Sequence, residues 1–97
     1  MEMTFGKALD IWSRVISGDS TLTEDEVKAA AKWFDDFNVK LSYKASKSEQ
    51  NLQNAIKTQA GKEMVAKQRK AAESDRRQLE DYVRKYDDLV NWLNANK

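Results

Sequence analysis

The stretch Thr58-Gln59-Ala60-Gly61-Lys62 interrupts the longest helix-forming tract of the chain. Before it, Val27, Ala31, Phe34, Asn38, Leu41, Ala45, Ser48, Leu52 and Ala55 recur at alternating four- and three-residue steps, the spacing of a heptad seam. After it, Val65, Ala72, Leu79, Val83, Tyr86, Val90 and Leu93 mark the inner face of another helix. There is no Pro, and Gly61 is the only glycine after Gly18. The spacing therefore predicts one helix from Glu24 to about Thr58 and a second from about Lys62 to Asn94, folded back on each other as an antiparallel hairpin. Each arm has about 35 residues and a length of about 50 Å at 1.5 Å per residue. A turn at Gly61 sets Leu41 opposite the neighbourhood of Tyr82 and Phe34 opposite Asp88 and Leu89. Ser46-Lys47-Ser48 offers the alternative break in the first arm, because serine is a poorer helix former.

Working outward, Leu22-Thr23-Glu24-Asp25-Glu26-Val27 marks the start of the first arm. Thr23 and Glu26 fit a capping box, in which the Thr23 hydroxyl accepts from the Glu26 amide and the Glu26 carboxylate reaches back to the Thr23 amide. Leu22 and Val27 are placed as a hydrophobic staple. Upstream, Phe5, Leu9, Trp12 and Ile16 share one face of a helix expected from Phe5 to Ser17. Thr4 caps its start, and Gly18 ends it in the left-handed conformation. In the last helix, Glu63–Lys67, Glu73–Arg77, Glu80–Arg84 and Asp81–Lys85 are spaced as i,i+4 acid–base pairs.

The expected fold is all-α, a single helical domain over residues 1–97. A short N-terminal helix packs on the long hairpin, giving a three-helix bundle at the base and an extended basic tip. Eight of the nine aromatics, all but Tyr43, fall in residues 1–39 and 78–97, where that bundle would form. Between Ala45 and Ala72 the larger apolar residues are only Leu52, Ile56, Met64 and Val65.

Composition excludes most catalytic chemistry. With no Cys and no His there is no thiolate nucleophile, no Ser-His-Asp triad and no usual zinc site. No glycine-rich phosphate loop is present, and Gly61-Lys62 is followed by Glu63 rather than Ser or Thr. Asp35-Asp36 and Asp87-Asp88 are adjacent on helices, so their carboxylates diverge by about 100° and do not converge on one atom. The expectation is a non-enzyme without metal or cofactor. No signal peptide and no apolar run of about 20 residues is present, so a soluble cytoplasmic protein with no membrane association is expected.

The net charge of +1 conceals a division along the chain. Residues 1–39 carry −4, residues 40–77 carry +6 and residues 78–97 carry −1. Lys57, Lys62, Lys67, Arg69, Lys70, Arg76 and Arg77 are the candidate contacts for a partner or for nucleic acid, with Lys40, Lys44 and Lys47 farther from the turn. The bland alternative is a solvated helical face. Glu24, Asp25, Glu26, Asp35 and Asp36 are an alternative acidic interface, able to imitate phosphate spacing before a nucleic-acid-binding groove. Trp33 and Phe37, off the main seam, either receive the first helix or stay exposed as an aromatic anchor. The seam near the tip is filled with Ala, Ser and Asn, which leaves room for a homodimer through the hairpin arm.

The turn lacks the Trp-x-Gly of the small secreted helical-hairpin proteins. Small size, absent enzyme motifs and segregated charge are similar in type to phage-encoded inhibitors of host or defence proteins. The leading expectation is thus a small binding protein that blocks another protein, a nucleic-acid-handling one, sterically or electrostatically. The alternatives are a nucleic-acid binder without sequence specificity, using the basic tip, and a structural or oligomerisation module.

Overall fold

The computed structural model describes residues 2–96. It is an all-α chain of three helices, α1 (Phe5–Ile16), α2 (Glu24–Lys57) and α3 (Lys62–Ala95). The second and third form an antiparallel helical hairpin, and α1 packs on both. Helix α2 runs through Ser46-Lys47-Ser48 without a break. None of the helices is long and apolar enough to cross a membrane, among the described residues.

Both chain reversals use the same backbone device. After α1, the Gly18 amide donates to the Val15 carbonyl (3.2 Å) and the Asp19 amide to the Arg14 carbonyl (2.9 Å), with Gly18 at φ +78°. After α2, the Gln59 amide donates to the Ile56 carbonyl (3.1 Å) and the Ala60 amide to the Ala55 carbonyl (3.0 Å). Both are Schellman caps, which satisfy the last carbonyls of a helix. In the second cap Gln59, not Gly61, occupies the left-handed region, at φ 56°. Gly61 instead precedes α3, its carbonyl accepting the first helical bond from the Val65 amide (3.1 Å). A six-residue hydrogen-bonded ring dictates which residue must be left-handed, and glycine stands two positions too late to supply it.

The chain divides into two compact units. The first comprises the residues up to Phe37 and those from Tyr82 onward. Its core is Ala8 and Ile11 of α1, Leu22, then Val27, Ala30, Ala31 and Phe34 of α2, and Leu89 of α3. Phe34, Leu89 and Val27 are fully buried and belong to one core cluster. Leu22 and Val27 both enter this core, as a staple should. Small residues at 8, 30 and 31 let the helices approach closely, and the aromatics fill the periphery.

The second unit spans Asn38–Asp81. Its buried apolar residues are only Leu41, Leu52, Ala55 and Ala72. Between them sits a polar layer, where the Ser48 hydroxyl donates to Asp75 Oδ2 and Lys44 Nζ lies 3.6 Å from Asp75 Oδ1. The Asp75 side chain is only 13% exposed.

The inner face of α3 differs from the apolar reading. Residues at 65, 68, 72, 75, 79, 82, 86, 89 and 93 are all buried or half-buried, at alternating three- and four-residue steps. This face includes Gln68 and Asp75, whereas Val83 is 39% exposed. The reason is that Tyr82 and Leu89 take the inward places, and polar Asp75 is admitted because Ser48 satisfies it.

Two stability outcomes follow. Gln59→Gly should raise stability by about 1 kcal/mol, because glycine removes the cost of a left-handed side-chain-bearing residue. Leu89→Ala should lower it by about 2–5 kcal/mol through cavity formation. Urea denaturation of both variants measures these shifts.

Candidate functional site

Each of the seven basic candidates lies in the second unit, and all are exposed. Lys57 ends α2 and Lys62 begins α3. None of the seven takes part in an ion pair with another of the described residues, whereas Lys44 pairs with Asp75. The unit holds ten basic and six acidic residues, a net charge of +4. The first unit holds seven basic and ten acidic residues.

The helical phase, about 100° per residue, separates the seven into different directions. Lys62, Arg69 and Arg76 repeat every seven residues on one flank of α3, in the same direction as Glu73 and Glu80. Lys70 and Arg77 repeat on the outward back of α3, and Lys57 on the back of α2. Lys67 lies on the other flank of α3, the side on which Asp75 meets Lys44. The seven therefore do not form one patch. Lys40, Lys44 and Lys47, farther from the turn in sequence, share the flank of α2 that borders Lys67's side.

The acidic candidates lie in the first unit and are partly committed to local structure. Glu24 holds Lys28 at 2.9 Å, and that hydrogen bond raises the lysine's pKa. The Glu26 amide donates to Thr23 Oγ1 (3.2 Å), as a capping box requires. The Glu26 carboxylate, however, takes the Thr23 hydroxyl (3.1 Å) and lies 3.7 Å from Arg14 Nη1, rather than reaching the Thr23 amide. The guanidinium offers it a charged partner, which a backbone amide is not. Asp25, Asp35 and Asp36 are exposed, with Lys28 and Lys32 interleaved among them on α2, so the set is not a pure anionic face.

Trp33 and Phe37 are half-buried and receive α1. The Phe5 ring stands 5.4 Å from Trp33 and 5.9 Å from Phe37, with Tyr82 5.3 Å from Phe37. On the same unit, Trp12 Nε1 donates to Asp88 Oδ2 (3.0 Å), and Lys85 Nζ lies 4.5 Å from the Trp12 ring centre. Asp88 thus binds α1 to α3. An indole N–H on a buried stripe needs an acceptor, and that was the available signal. The i,i+4 pairs expected at Glu63–Lys67, Glu73–Arg77 and Glu80–Arg84 do not close, since exposed pairs gain only tenths of a kcal/mol.

The loop after α1 contains an ordered network that charge counting missed. Asp19 Oδ1 accepts from the Thr21 hydroxyl (2.6 Å) and amide (2.8 Å), while Arg14 Nε donates to Asp19 Oδ2 (2.8 Å). Arg14 Nη2 also donates to Thr21 Oγ1 (2.9 Å). The Thr21 hydroxyl first, then Arg14 and the Thr21 amide, hold the Asp19 carboxyl well below the usual carboxylate range. This network shapes the loop between α1 and α2.

Among the described residues, no group of three or more His, Cys, Asp or Glu is placed to hold a metal ion. No family model, curated protein or solved structure matches the chain.

The depressed Asp19 pKa has a defined sign. The ionised carboxylate stabilises the fold above the ordinary value, about 3.9, and this contribution is lost progressively as pH falls toward the folded-state value. Asp19→Asn should therefore be less stable than the parent at pH 7, and the gap should narrow below about pH 4. Urea midpoints across a pH series test this, and a gap independent of pH would contradict it.

Proposed function

We propose that this chain is a non-enzymatic binding protein that holds a polyanionic partner electrostatically through its second unit. The observation that carries this reading is that all seven basic candidates there are exposed and, among the described residues, none is neutralised by an ion pair. Ammonium and guanidinium groups left in water attract anionic surfaces and gain affinity by displacing their counterions. Large apolar side chains are scarce in this unit, so its recognition rests on charge and hydrogen bonding more than on buried area.

The parent protein should be retained on immobilised heparin at low ionic strength and elute as salt rises. Replacing Lys57, Lys62 and Lys67 together with Glu should shift elution to markedly lower salt. A parent protein that passes through the column at low salt would refute the reading.

A second reading, blockade of another protein, is favoured by a different observation. Val39 and Tyr43 stand one turn apart on α2 and are 67% and 73% exposed. Tyrosine beside an aliphatic residue, flanked by Lys40 and Lys44, suits an interface anchor with electrostatic steering. Tyr43→Ala should then weaken capture of a specific protein partner at least tenfold while helicity is unchanged. Retention of the same partner by that variant would remove this reading.

A further inference from the structure

We infer that the second unit binds the sugar-phosphate backbone of nucleic acid, without sequence selection, along one face. That face is the α2 strip Lys40, Lys44, Lys47, Asn51, Asn54 and Thr58, with Lys67 beside it on α3. This inference rests on the polyanion-binding reading above and specifies its surface and partner.

The strip follows from helical spacing. Its members recur at alternating four- and three-residue steps, so they occupy one flank of α2, and all six are exposed. The contact of Lys44 with Asp75 fixes which flank of α3 borders it. That α3 flank carries Lys67, Ser74 and Gln78, all exposed. Every one of these polar side chains can donate a hydrogen bond.

Acidic groups are fewer on this face than on the opposite one. Glu49 points to the opposite side of α2. By the same phase, Glu73 and Glu80 lie on the opposite flank of α3 and Glu63 on its outward back, while Asp81, seven residues after Ser74, stands at the far end of the flank that carries Lys67. Asp75 is the one carboxylate beneath the strip, and it is nearly buried and held by Ser48 and Lys44. The opposite flank offers Lys62, Arg69 and Arg76 but balances them with Glu49, Glu73 and Glu80. The opposite flank is therefore neutral, whereas the proposed face, with four lysines against Asp75 and Asp81, stays positive.

The chemistry of the strip favours phosphate over protein carboxylates. Protein interfaces draw on apolar and aromatic anchors at their cores. The strip itself is lysine and small polar side chains, with Tyr43 as the one aromatic of this unit at its edge. Lysine as a point charge, mixed with Asn, Thr, Ser and Gln, is the donor set that contacts phosphate oxygens. From Lys40 to Thr58 the strip is about 27 Å long, matching about eight base-pair steps at 3.4 Å each. With one tyrosine at its edge and no row of aromatics to stack on successive bases, it does not read sequence.

The test uses the full chain and a fluorescently labelled 20-base-pair DNA duplex, followed by anisotropy over a salt series. Two variants of equal charge loss are compared. One is Lys40→Gln, Lys47→Gln and Lys67→Gln on the proposed face. The other is Lys62→Gln, Arg69→Gln and Arg76→Gln on the opposite flank. Circular dichroism confirms that each is helical. The face variant should lose at least tenfold in affinity and flatten the log–log salt slope by about 2–3, while the control loses less than threefold. A duplex of unrelated sequence should bind equally well. Equal losses in the two variants would overturn the assigned face while leaving polyanion binding intact. Displacement of the duplex by poly-glutamate at equal charge concentration would overturn the phosphate assignment in favour of an acidic protein. No binding by the parent at 20 mM salt, a condition chosen to favour phosphate contacts, would sink both this inference and the reading beneath it.

Discussion

The reversal between α2 and α3 is the constraint on which the hairpin depends. Two long helices must be joined by four residues, and the carbonyls at the end of α2 must still be satisfied. The Schellman cap answers both demands with two short backbone bonds and one left-handed residue, Gln59. Once the chain has turned there, the facing residues of the second unit are no longer free to choose. Ser48 and Asp75, at nearly equal distance along the chain from the turn, are brought together and become its polar layer.

The two units solve the packing problem with different materials. The first places Phe34, Val27 and Leu89 out of water and surrounds them with aromatics from all three helices. The second has a narrow seam of two leucines and two alanines, closed by a hydrogen-bonded serine–aspartate contact. A narrow apolar seam leaves most of each helix circumference in solvent. Long cationic side chains can stand there without desolvation. The thin core and the accessible charge of the second unit are thus consequences of one composition.

Much of the architecture was legible from residue spacing. The seam from Val27 to Ala55 is buried or half-buried at each of its nine positions, because its four- and three-residue steps follow the helix itself. Gly18 and Thr4 perform the local roles their chemistry suggests. The inner face of α3 was less legible. Its spacing contains Gln68 and Asp75, and a polar residue reads as surface until its partner on another helix is known. Val83 shows the converse, an apolar residue left 39% exposed because Tyr82 occupies the inward direction. The candidate basic residues were visible as a cluster along the chain, but seven positions on two helices point in several directions.

Sequence by itself determined the helices, their ends, the chain reversal and the unequal division of aromatics and charge. These depend on interactions within one or two turns, which residue type and spacing encode directly. Only the tertiary structure decided that Asp88 accepts from Trp12 and that Asp75 turns inward to Ser48. It also decided which lysines of α2 and α3 border one another. Such choices depend on the rotation of each helix about its own axis, and packing against a neighbour sets that rotation.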